Sequence, residues 1–175
     1  MNVMDALTSR KSVRSFTGKI ADEELKAVLA AAQASAVGNA AYDTVKLTVI
    51  TDEALLSQID ANAATFFGDP SAHPLYGAPT LVVVSTQLAG NPMDNVAYSN
   101  AATIAENMIL EAVELGVGAC HIWGATMALS GNADLVSKLG LPEGFTPVCA
   151  VALGKTNERY EQREIPAGRI AVNYI

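Results

Sequence analysis

Three cations crowd into five positions near the start of the chain: Arg10, Lys11 and Arg14 surround Ser12 in the stretch TSRKSVRSF, Thr8 to Phe16. A guanidinium offers paired N–H donors and a serine hydroxyl adds a third, which is a donor set suited to phosphate oxygens. If the stretch is extended, Arg10, Ser12 and Arg14 occupy alternate positions and point the same way. The plainer reading is a solvated turn joining two helices, because short basic clusters are common on surfaces. Other phosphate devices are missing. There is no G-x-x-x-x-G-K-[ST] segment, and GVGACHIWG (Gly116–Gly124) has the wrong third spacing for a dinucleotide fingerprint.

Nucleophile and metal chemistry find little support. Cys120 and His121 are adjacent, and neighbours on a strand point to opposite faces, so they do not form a proton-sharing pair. Cys120 reads as a small core residue; His121 reads as core or pocket wall. With two His and two Cys in the whole chain and no ligand spacing, no metal site is expected. No catalytic acid, base or nucleophile is assigned.

The elements that must position these residues follow from composition and periodicity. The chain has 175 residues, enough for one domain with a sizeable core; half is hydrophobic and only 17% is charged. Its net charge of −7 argues against nucleic acid or an anionic membrane as partner, although a few local cations can still hold a small anion. No apolar run is long enough for a transmembrane helix, the first residues lack a secretory h-region, and two cysteines make no disulfide framework. A cytoplasmic protein is expected.

Residues Ala21–Ser35 read as a helix with an acidic start, Thr44–Thr51 as a strand with Val45, Leu47 and Val49 on one face, and Asp52–Ala64 as a second helix. After a Pro- and Gly-rich loop, Phe66–Pro79, the β-branched run Thr80–Thr86 is a buried strand. Asn95–Gly116 is the longest helix, nearly surrounded by apolar residues, hence central or shared with a second subunit. Gly118–Trp123 is a short strand, Asn132–Leu141 a short helix and Thr146–Gly154 a strand. The remaining tail is polar, then weakly apolar, with little to bury on its own. This mixture predicts an α+β fold around one sheet.

Four segments in order resemble the FMN-dependent nitroreductase family: SRKSVRSF near the start, APTLVVVS (Ala78–Ser85), ENMILEAVELGVGACHIWG (Glu106–Gly124) and LGLPEGFTPVCAVALGKTNE (Leu139–Glu158). The resemblance covers nearly the whole chain. It implies a nitroreductase-type α+β sandwich, a mostly antiparallel sheet flanked by helices, as an intertwined homodimer. The chain is then one domain, 1–175, with a C-terminal arm from about residue 155. The implied activity is oxidoreduction: NAD(P)H gives hydride to FMN N5, and a small-molecule acceptor such as a nitroaromatic or a quinone enters afterwards. An FMN-binding protein with little turnover is the alternative.

The resemblance also implies site residues. Arg10, Lys11, Ser12 and Arg14 match the segment that grips the FMN phosphate. Trp123 and Gly124 match positions whose backbone passes the flavin ring near N5, and a small residue permits such an approach. Arg163 lies where the family places a C-terminal cation reaching the same phosphate, with Arg169 as rival. Asn39 matches the Asn of a motif S-x-x-N-x-Q-P-W, but the Gln-Pro-Trp is absent from Ala34–Leu47 and the loop looks slightly longer. Ser71 weakly matches a ribityl contact, Tyr42 stands at the pocket edge or on the surface, and His73 is isolated in a loop.

Overall fold

The computed structural model describes residues 2–175, and helices alternate with strands along most of the chain. Helix α1 (Val3–Ser9) opens on a capping box: the Asn2 side chain accepts from the Asp5 N–H at 2.9 Å and the Asp5 carboxylate accepts from the Asn2 N–H at 3.3 Å. Then come α2 (Asp22–Gln33), β1 (Val45–Ile50), α3 (Glu53–Phe66), β2 (Thr80–Gln87) and α4 (Asp94–Leu115). The chain continues through β3 (Gly118–Ile122), α5 (Gly124–Ser130), α6 (Ala133–Ser137) and β4 (Phe145–Gly154). Asp52 caps α3 by accepting from the Leu55 N–H at 2.7 Å, and α4 stops where Gly116 turns left-handed at φ 68°.

The four strands form one antiparallel sheet in the order β1-β2-β4-β3. Helices cover both faces, and the alternation of β2 shows how. Leu81 and Val83 join Ile59, Ala63, Ala125 and Leu129 on the α3/α5 side. Val82 and Val84 join Val28, Ile104 and Met108 on the α2/α4 side. Full burial on both faces is why this strand reads as an uninterrupted apolar run; each such side chain contributes roughly 1.5–3 kcal/mol.

Val45, Leu47 and Val49 share one face of β1; Val49 is 38% exposed, whereas Ile50 on the opposite face is buried. β1 is an edge strand, with one side of its backbone unpaired in the sheet. Helix α4 is not apolar all round in its packing: Ala101, Ile104, Ala105, Met108, Ile109, Ala112 and Val113 form one buried stripe, while Val96 and Tyr98 near its start are exposed. Two short helices, α1 and α5, also lie where no element was expected, and Trp123 is the residue before α5 rather than the last of a strand.

Ahead of the first long helix, the chain is fastened to the sheet. The Val13 N–H donates to Ala119 O (2.9 Å), the Thr17 N–H to Lys155 O (2.8 Å) and the Lys155 N–H to Gly18 O (2.7 Å). Phe16 and Pro79 both close on Gly154: a Cβ there would stand 2.7 Å from Phe16 Cδ1 and 2.9 Å from Pro79 Cδ. Glycine is required by this approach of three segments. Past β4 the chain forms no further helix or strand. Tyr160 donates its O–H to Val117 O (2.8 Å) and Gln162 Nε2 to Asp5 Oδ1 (2.7 Å), after which Ile170 is 81% and Tyr174 91% exposed.

Candidate functional site

The basic segment lies along β3. Val13 is fully buried and anchors it, which turns its neighbours outward. The cations then part company. Arg10 Nε stands 3.6 Å from Glu106 Oε1 on α4, and Lys11 Nζ stands 2.8 Å from Glu158 Oε2. Ser12 and Arg14 instead lie by Cys120 of β3. Burial pushes the Cys120 thiol up from its ordinary range, against the opposing pull of Arg14 and Ser12. Cys120 is a core residue, and Cys149, pushed up to about 12 by burial, is another.

Arg14 has a neighbour that sequence reasoning missed. Its guanidinium carbon lies 5.5 Å from the centre of the Tyr76 ring. Its pKa is raised, chiefly through a hydrogen bond with the Tyr76 side chain and then by the electrostatics of Cys120. Tyr76 has φ 57°, a left-handed conformation that costs a non-glycine residue about 1–2 kcal/mol. The turn that imposes it is pinned by Asp60, which accepts from the Leu75 N–H (2.7 Å) and bonds His73 Nδ1 (2.9 Å). His73, expected to be isolated, is part of that clamp. Ser71 bonds Asp69 Oδ1 at 2.6 Å, an arrangement internal to its own loop.

Just beyond β3, Trp123 is 52% exposed, not core, and its ring lies 4.8 Å from that of His121. His121 Nε2 is buried without a hydrogen-bond partner among the described residues. Its pKa is lowered, first by burial and then by Arg10. Gly124 opens α5, and a Cβ there would fall 2.4 Å from Phe67 Cζ. Trp123 and Gly124, with Tyr98, Met127, Pro147 and Val148, line a cavity of about 350 Å³. A larger cavity, about 580 Å³, lies against α3 between Glu53, Asp60, His73 and Pro79 and includes none of the residues singled out for FMN.

The other two expected residues lie apart in their contacts. Asn39 is exposed at φ 57° in a turn tied to α4 by the Gly38 N–H, which donates to Asn100 Oδ1 at 3.0 Å. Tyr42, in the same loop, is on the surface. Arg163 caps the end of α1: its backbone N–H and its Nε both donate to Thr8 O, at 3.1 and 2.9 Å. That brings it to the approach of the basic segment, with donors already engaged.

A family model described as "Nitroreductase family" matches residues 7–155. An FMN reductase (NADPH) of Bacillus subtilis is 24% identical over 87% of this chain, which spans 65% of that relative's length. A nitroreductase with bound FMN from Bacteroides fragilis superposes with a TM-score of 0.80 at 24% identity, covering 99% of this chain and 100% of that one. Another with bound FMN, from Desulfitobacterium hafniense, superposes with a TM-score of 0.83 at 21% identity over the full length of both chains.

Proposed function

The chain belongs to the nitroreductase family, and from that premise we propose that it is an FMN-dependent oxidoreductase passing hydride from NAD(P)H to a nitroaromatic, quinone or similar small acceptor. The observation that carries this reading is the donor set along β3. Ser12 and Arg14 stand by Cys120 of β3, and Trp123 and Gly124 follow where the strand ends at Ile122. On this reading the first group takes the phosphate and the second the ring, joined by a ribityl chain.

FMN, when bound, supplies the electron carriage. The protein's residues do the rest. Ser12 and Arg14 hold the phosphate through a neutral and a charged donor. Arg10 joins them by leaving its loose, half-exposed pair with Glu106. Lys11, paired with Glu158, and Arg163, on the carbonyls of α1, contribute mainly positive potential. Gly124 gives the ring close backbone approach, and Trp123 with Tyr98 offers flat apolar walls to the ring and the acceptor.

The same reading makes the protein a homodimer. Ile165, Ile170, Val172 and Tyr174 of the tail and Val3, Met4 and Leu7 of α1 are exposed, and a second copy of the chain covers such surface at a gain of roughly 25 cal/mol per Å².

One experiment tests the reading. Purified full-length protein should be yellow, should sediment well above the 18.2 kDa of one chain, and should bleach anaerobically with NADH or NADPH. A panel of quinones and nitroarenes should restore the colour. Colour that NAD(P)H does not bleach would assign the chain to flavin storage instead, and a colourless protein that takes up no added FMN would overturn the proposal.

A further inference from the structure

Arg14 is the cation of the basic segment whose side chain rests on an aromatic ring, whereas Arg10 and Lys11 each face a carboxylate. The ring that holds it belongs to a segment far away in sequence, and that segment is fixed on both sides. Leu75 is buried, its N–H is held by Asp60 at 2.7 Å, and the Tyr76 N–H donates to His73 O at 2.8 Å. On the other side the Ala78 N–H donates to Leu75 O at 3.0 Å, and Ala78 is buried. An aromatic residue is thus kept in a backbone conformation that its type disfavours, with its face against a guanidinium. Nothing in the core needs that ring, since Tyr76 is itself 38% exposed.

We propose that Tyr76 is a positioning residue for the anion site: its ring face seats the Arg14 guanidinium, so that the donor fork is already aimed when the phosphate arrives. The proposal rests on the reading of Arg14 as a phosphate ligand. A long, exposed arginine samples many rotamers, and each one excluded before binding is entropy not lost at binding. With one donor engaged by the Tyr76 side chain and the guanidinium over the ring, the remaining N–H donors of the fork stay available to an anion. Tyr76 therefore acts through Arg14 and has no separate contact with the ligand.

The test is a double-mutant cycle on the full chain stripped of flavin, read by quenching of flavin fluorescence with FMN and with riboflavin as probes. Tyr76→Leu should weaken FMN about two- to five-fold, the range of an exposed cation–π contact, and leave riboflavin unchanged. Tyr76→Phe, which keeps the ring and loses the hydroxyl, should bind FMN more tightly than Tyr76→Leu. In an Arg14→Ala background, Tyr76→Leu should cost nothing further. Tyr76→Leu without effect, an equal loss for riboflavin, a loss undiminished by Arg14→Ala, or Tyr76→Phe as weak as Tyr76→Leu would each overturn the role of Tyr76. Arg14→Ala that weakens FMN and riboflavin alike would instead overturn the phosphate reading beneath it.

Discussion

The two ends of β3 are built by different means. At the end near Ser12 and Arg14 the backbone sets the site: Val13 is buried, its N–H is bonded to Ala119 O, and the side chains on either side are thrown outward by the pleat. At the end near Trp123 and Gly124 the site is made of side chains left over from packing, with Trp123 and Phe67 each about half exposed. An anion needs donors at fixed places, and a sheet edge supplies fixed places. A flat ring needs a flat apolar surface, and loosely covered aromatics supply that. The first end should therefore respond to loss of single donors, the second to volume.

The sharpest way to separate them is Arg14→Ala. It should weaken FMN about ten- to hundred-fold, on the order of 1.5–3 kcal/mol, and leave riboflavin nearly indifferent. Equal losses for the two flavins, measured by titration, would erase the distinction between the ends. The next effect belongs to volume. Gly124→Val drives a side chain into Phe67, which a Cβ already meets at 2.4 Å, and should destabilise the fold by about 1–3 kcal/mol while weakening FMN and riboflavin together. Adding Phe67→Ala should return the lost stability in urea unfolding but not the flavin affinity. Recovery of both would mean that the ring does not pass Gly124.

The smallest effect is a pH dependence at the ring end. Burial and then Arg10 hold the His121 pKa below its unfolded value. As pH falls through the ordinary histidine range, the unfolded chain takes up a proton that the folded chain refuses, so stability falls with it. His121→Gln should flatten the urea midpoint between about pH 7.5 and about pH 5.5 relative to the parent. An unchanged slope would remove His121 from the account.

Legibility in the sequence followed how local each feature is. The long strands and helices carried strong periodicity, and Gly116 marked the end of α4 one residue beyond Leu115. Helix α1 has only seven residues, too few for a periodic signal, although Asn2 and Asp5 spell its capping box. Helix α5 begins on the glycine that ends GVGACHIWG, so its start reads as a strand end. Ser12 and Arg14 were visible as a pattern of residue types. Their division from Arg10 and Lys11 was not, because Glu106 and Glu158 come to them only through the fold. Tyr76 was invisible for a stronger reason: its backbone angle is imposed by Asp60, a residue on α3, and no short window contains both.

Gly154 carries a consequence for how the site is tuned. Phe16 rides on the segment that bears Arg14, and Pro79 rides on the segment that bears Tyr76, so both halves of that pair are gauged from one Cα. A surveyor would call it a shared benchmark: an error in either half is measured from the same mark, and displacement of the mark carries both along. A side chain at position 154 would press on Phe16 and Pro79 at once, and so on the two loops, far apart in sequence, that carry the guanidinium and the ring.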